Sequence, residues 1–167
     1  MTRRMSIFVV PVMLLLALAA CGGPKATSTA PPACAEIPAA TFQKNADDGV
    51  AAGAVIVYER SGGTGCVDEV WQIFPDGRIV GNNGRAQATG SMTAEEASAM
   101  LADIEALGFF KLPSTKHTAC RECFTYNITV KSGDQIKTVA AVDGGTDTPT
   151  DYWQIYAKIK KVLPAFS

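Results

Sequence analysis

The chain has 167 residues, with 15 basic and 16 acidic side chains, a formal charge of −1 and 47% apolar content. That balance excludes a polycationic nucleic-acid binder and a polar disordered chain, and leaves enough apolar mass for one small core. One histidine and five cysteines restrict the catalytic and metal-binding options from the start.

Residues 1–20 read as a secretory signal peptide. Arg3 and Arg4 form a positive start, and Ile7 to Ala20 an apolar run interrupted by Pro11. The run has the length of a signal core and is too short to span a bilayer as a helix. Met5-Ser6 after the arginine pair fit a twin-arginine signal poorly, which favours the general export route. The run closes on Leu18-Ala19-Ala20-Cys21, small residues before a cysteine, the pattern of a lipobox. Cys21 is therefore the expected lipidated N-terminus. Its acyl chains would hold the protein on the extracytoplasmic side of the cell membrane or outer membrane. Residues 21–52 are rich in Gly, Pro, Ser, Thr and Ala, with Phe42 the one aromatic. They read as a flexible linker, on the order of 30 Å in root-mean-square reach. Without Arg3 and Arg4 the charge falls to −3 and no basic stripe appears, so nucleic acid is not an expected partner.

Residues 53–167 read as one domain. Ala54 to Tyr58 is a β-branched strand run ending in Ser61-Gly62-Gly63-Thr64-Gly65, a glycine-rich turn. Val70 to Phe74 and Arg78 to Val80 are strands joined by Pro75-Asp76-Gly77, and Asn82-Asn83-Gly84 marks the next turn. Thr93 and Glu96 form a capping box, followed by Ala97, Met100, Leu101, Ile104 and Leu107 at helical spacing. Gly108 closes that helix, and Phe109, Phe110 and Leu112 drop into the core. Phe124, Tyr126, Ile128 and Val130 alternate with Thr125, Asn127 and Thr129, predicting a strand with one buried and one wet face. Ser132-Gly133-Asp134 turns the chain into a partner strand, Gln135 to Val142. A last helix starts with Thr148 as cap and Pro149 as its first residue, burying Tyr152, Ile155, Tyr156, Ile159 and Leu163. The order βββ-α-ββ-α predicts an α+β fold: an antiparallel sheet of about five strands, both helices on one face, the Thr125/Asn127/Thr129 face in solvent.

The cysteines beyond Cys21 are Cys34, Cys66, Cys120 and Cys123, an even set in an exported chain, which predicts structural disulfides. The expected pairs are Cys120–Cys123 and Cys34–Cys66. A redox-active pair belongs at a helix N-terminus, whereas Cys123 runs straight into a strand. His117, Cys120 and Cys123, with Cys66 as a fourth, also match zinc-ligand types. The oxidising compartment and the lack of a second histidine count against that set, so no metal or cofactor is expected. No GxSxG elbow is present, and residues 61–65 lack the lysine of a phosphate-binding loop, so no enzyme is expected. Trp71 and Trp153 could line a ligand pocket, but such residues more often sit in a core or at its rim.

Tyr58-Glu59-Arg60-Ser61-Gly62-Gly63, Leu101 with Phe109-Phe110-x-Leu112-Pro113, and Phe124-x-Tyr126-x-Ile128-Thr129-Val130 resemble the emfourins. These are small bacterial inhibitors of thermolysin-type metalloproteases such as protealysin, and the resemblance spans about Val55 to Leu163. It implies a binding module whose partner is a secreted metalloprotease, engaged by the loop Arg60, Ser61, Gly62, Gly63, Thr64 and Gly65. The Pro75-Asp76-Gly77 hairpin, the Cys120/Cys123 clip and the lipid tether depart from the plain inhibitor. The other reading is a structural or envelope-associated lipoprotein with neither inhibitory nor enzymatic activity.

Overall fold

The computed structural model describes residues 39–113 and 122–166. Residues 1–38, with the expected signal peptide, Cys21 and Cys34, and residues 114–121, with His117 and Cys120, lie outside the described residues. The elements run α1 (Ala39–Ala51), β1 (Ile56–Gly62), β2 (Val67–Ile73), β3 (Arg78–Asn82), β4 (Gln87–Ser91), α2 (Ala94–Ala106), β5 (Phe124–Ser132), β6 (Gln135–Val142) and α3 (Thr150–Val162). A 3₁₀ turn, Phe109–Lys111, follows α2. The strands form one open antiparallel sheet in the order β4-β3-β2-β1-β5-β6, so the fold is α+β with six strands and three helices.

β1 is the hub. It pairs with β2 from Ile56↔Ile73 to Gly62↔Val67, and with β5 from Ile56↔Val130 to Gly62↔Phe124. One face of the sheet carries Ile56, Tyr58, Trp71, Ile73, Ile128 and Val130, packed against Ile104 of α2, Phe109, and Tyr152, Ile155 and Ile159 of α3. Burying residues of this size contributes about 1.5–3 kcal/mol each before the entropy of ordering is subtracted. The Tyr152 hydroxyl donates to the Tyr126 carbonyl at 3.0 Å, which seats α3 on β5. α2 begins as its sequence dictates: the Glu96 amide donates to Thr93 Oγ1 at 3.1 Å, and the Thr93 amide to Glu96 Oε2 at 2.8 Å. Gly108 leaves it in the left-handed conformation, φ 77°.

Four expectations are corrected. Residues 39–51, assigned to the linker, are helical, and α1 packs on the sheet face opposite α2 and α3. Phe42, Ala46 and Gly49 of α1 are buried, and a Cβ on Gly49 would lie 2.6 Å from Val57 Cγ2. The Thr125/Asn127/Thr129 face is therefore not a wet face: Asn127 is 3% and Thr129 2% exposed, and only Thr125 is half-buried. Thr129 is satisfied sideways, its hydroxyl 2.7 Å from that of Thr138 on β6. Residues 87–91 form a sixth strand at the sheet edge. Finally, the cap of α3 is Pro149 itself, with extended ψ and no side-chain hydrogen bond, rather than Thr148.

Candidate functional site at the hairpin tip

The β1–β2 register continues to Gly62↔Val67, so Arg60, Ser61 and Gly62 belong to a strand, not to a loop as expected. Ser61 and Gly63 are buried, and only Thr64, Gly65 and Cys66 are exposed. The base of the tip is locked. Gly62 and Gly63 take φ +96° and +69°, and added Cβ atoms would lie 2.6 Å from the Cys123 carbonyl oxygen and 2.5 Å from the Phe124 ring. Both positions thus demand glycine for conformation and for space. The Gly63 amide donates to the Cys123 carbonyl at 3.2 Å, and the Cys66 amide to the Gly63 carbonyl at 3.3 Å. Cys66 takes φ +49°, which is uncommon for a side chain.

Cys66 and Cys123 are both disulfide-bonded; Cys34 and Cys120 lie outside the described residues. A sulfur held in a disulfide is not a thiolate, so Cys66 and Cys123 cannot serve the zinc set in this state. Among the described residues no group of three His, Cys, Asp or Glu side chains could hold a metal.

Beside the tip, the α3 side of the sheet carries an aromatic and charged flank. Arg60 Nε lies 3.0 Å from Glu69 Oε1 across β1–β2, and Arg60 Nη2 donates to Glu69 Oε2 at 3.2 Å. Lys160 of α3 reaches the same carboxylate at 3.8 Å. The Arg60 guanidinium sits 5.0 Å from the Phe124 ring centre, a cation–π distance. Tyr126, Trp153 and Tyr156 form a triangle of edge-on rings 5.1–5.6 Å apart. Arg60, Phe124, Trp153 and Tyr156 are each partly exposed. Burial, with the Tyr156 phenol beside it, pushes Tyr126 up to about 12, and burial also raises Tyr58. These phenols stay protonated at neutral pH, where each can donate or accept a hydrogen bond or stack. Of the two tryptophans, Trp71 is core at 1% exposed, with Phe166 stacked 4.6 Å away, and Trp153 is rim.

Glu59, expected beside the loop as an exposed charge complementing a protease, instead lies on the opposite face of β1 from Arg60 and is 1% exposed. Neither carboxylate oxygen has a hydrogen bond of standard geometry. Burial pushes its pKa up to about 7; the nearby Asn45 amide opposes this by favouring the ionised form, and the Asp68 charge adds to it. An acid directly after the apolar run Val55-Ile56-Val57-Tyr58, within the same strand, was the available signal.

No helix among the described residues is long and apolar enough to cross a membrane. No family model and no curated protein matches the chain.

Proposed function

We propose that the chain is a lipid-anchored extracytoplasmic binding module whose hairpin tip occludes the cleft of a secreted thermolysin-type metalloprotease. The observation that supports this reading best is the stiffness of the tip. Thr64, Gly65 and Cys66 stand exposed on a base fixed by Gly62, Gly63 and the disulfide-bonded Cys66 and Cys123. A loop rigid before contact loses little entropy on binding, which is how a small interface becomes tight. Exposed peptide groups at such a tip can pair with a substrate-binding edge strand. The flank adds arginine and large aromatics, the residue types that dominate binding energy at interfaces. Steric occlusion suffices, and the tip need not ligate the enzyme's zinc.

Anchoring rests on Cys21. The mature N-terminus should carry acyl chains on that cysteine by intact mass, and Cys21→Ala should release the protein from membranes. The pairing Cys120–Cys123 with Cys34–Cys66 accounts for both bonded cysteines and is read by non-reducing peptide mapping. A Cys66–Cys123 cross-link would replace it and tie the tip directly to β5.

The functional test is titration of the full chain, in detergent, against a panel of thermolysin-type proteases. Gly62 and Gly63 are unsuitable positions for the loss-of-function variant, since bulk there strikes Cys123 and Phe124. Thr64→Trp alters only exposed surface. Saturable inhibition that Thr64→Trp weakens supports the proposal. No inhibition of any panel member at micromolar concentration would sink it and leave a structural lipoprotein as the better reading.

A further inference from the structure

α1 lies along β1 in the opposite direction. Gly49 sits over Val57, where an added Cβ would be 2.6 Å from Cγ2. Asn45, one turn earlier, is the side-chain partner of Glu59, two strand residues later. Four helical residues rise about 6 Å and two strand residues about 6.6 Å, so the helix stays in step with that face of β1. Glu59 is thus closed in from three elements: Asn45 on α1, Asp68 and the register partner Val70 on β2, and the register partner Asn127 on β5. The charged groups of α1 near Asn45 are Lys44 and Asp48, which pair with each other, and Asp47, all exposed. Among the described residues no cation forms an ion pair with Glu59 or Asp68.

The helix has little of its own to hold it there. It has 13 residues, with no acidic residue in its first turn and no basic one in its last. A helix of that length is marginal alone, and Asp47 and Asp48 near its C-terminal end oppose its dipole. Its seated side is Phe42, Ala46 and Gly49, one large apolar group and two small ones. The joint to β1 is a single exposed glycine. The Ala54 amide donates to the Gly49 carbonyl and the Gly53 amide to the Val50 carbonyl, both at 3.0 Å, closing the helix with Gly53 at φ +96°. Val55 is already in the sheet: its amide donates to Ile73 and its carbonyl accepts from Lys131, both at 2.9 Å. Gly53 itself has open space around its Cα. We propose that α1 is a pH-released latch, seated while the Glu59 carboxyl carries its proton and opening about Gly53 once that proton leaves.

Linkage fixes the direction. With α1 seated, burial keeps Glu59 protonated up to about pH 7, the Asp68 charge adds to this, and the Asn45 amide opposes it. With α1 open, water reaches the carboxyl and its ordinary value near 4.5 returns. The contribution of Glu59 to seating is therefore fully present below 4.5 and lost as pH rises through 7. Between pH 6 and pH 8 the open fraction should grow by about tenfold. Opening uncovers Val57, Glu59, Asn127 and Thr129, and frees the 13 residues of α1 to extend the chain that precedes them.

The test is amide hydrogen exchange of the full chain in detergent, read by mass spectrometry at pH 6 and pH 8 and corrected for the intrinsic exchange rate. The protection of residues 39–51 should fall by about tenfold from pH 6 to pH 8. At pH 8 it should lie at least about tenfold below that of α2 and α3, which marks a local opening. Glu59→Gln has no proton to lose, so its α1 should be equally protected at both pH values. Wild-type protection of α1 that is the same at pH 6 and pH 8 would overturn the proposal. So would the same fall in Glu59→Gln. Protection of α1 equal to that of α2 and α3 would also overturn it, because α1 would then open only with the whole domain. The latch is independent of the hairpin tip, so its failure leaves the inhibitor reading where it stands.

Discussion

The two faces of the sheet follow different rules. The α2/α3 face is built from Ile, Phe, Tyr and Trp that interdigitate into a dry core, with its charges gathered at one end around Glu69. The α1 face holds a small apolar patch of Ala54, Val57 and Phe74, and beside it Glu59, Asn127 and Thr129, buried and polar. The first face is organised for stability. The second keeps polar groups out of water, at a cost to stability. β1 carries both, Tyr58 and Arg60 to one side, Val57 and Glu59 to the other.

Substitutions on the two faces should separate these roles, in descending order of effect. Phe109→Ala, at a fully buried ring of the α2/α3 core, should cost about 4 kcal/mol in urea unfolding. A cost below about 1 kcal/mol would mean that this face is not the stability core. Glu59→Gln should act in the opposite direction. Folded Glu59 keeps its proton to about pH 7, whereas the unfolded chain releases it near 4.5. Wild-type stability from this group is therefore fully present below 4.5 and lost as pH rises through 7. Glu59→Gln should match the wild type at pH 4 and exceed it by roughly 3 kcal/mol at pH 8. Equal stability of the two proteins at pH 8 would show that the carboxyl is already paired. Phe42→Ala on α1 should cost about 2 kcal/mol, since the helix packs on a polar surface and little apolar area depends on it. Thr93→Ala, which removes one cap at the start of α2, should cost about 1 kcal/mol.

The same contrast explains what was legible in the sequence. The α2/α3 face announces itself through large residues at regular spacing: the capping box, the stripe ending at Gly108, and the alternation from Phe124 to Val130. The α1 face is written in small and polar letters. Phe42, Ala46 and Gly49 do fall at helical spacing, but an alanine and a glycine carry little hydrophobic signal. They are small because the helix lies close to the sheet: even a Cβ on Gly49 would crowd Val57 and Gln72. Once α1 is missed, Asn127 and Thr129 look like solvent-facing residues. A better clue was β1, where Val55 to Tyr58 are apolar without alternation, the mark of a strand covered on both faces. β4, Gln87–Ser91, escaped notice because an edge strand of Gln, Ala, Thr, Gly and Ser lacks the branched residues that signal a strand. At the site, the expected turn at residues 61–65 overlaps the observed one at 63–66, with Ser61 and Gly62 still in β1. Arg60 and Ser61 were misassigned because strand pairing with β5 carries order two residues further than composition indicates.

In the proposed function the tip engages the protease and the α1 face takes no part in that contact. The most direct measurement titrates one thermolysin-type protease with three forms of the full chain: wild type, Gly65→Trp and Glu59→Gln. Gly65 has open space around its Cα, so a tryptophan there changes the surface and not the packing. The expected result is saturable inhibition by the wild type, inhibition weakened by at least about tenfold in Gly65→Trp, and an unchanged inhibition constant for Glu59→Gln. Inhibition insensitive to Gly65→Trp, or lost in Glu59→Gln while that variant remains folded, would contradict it.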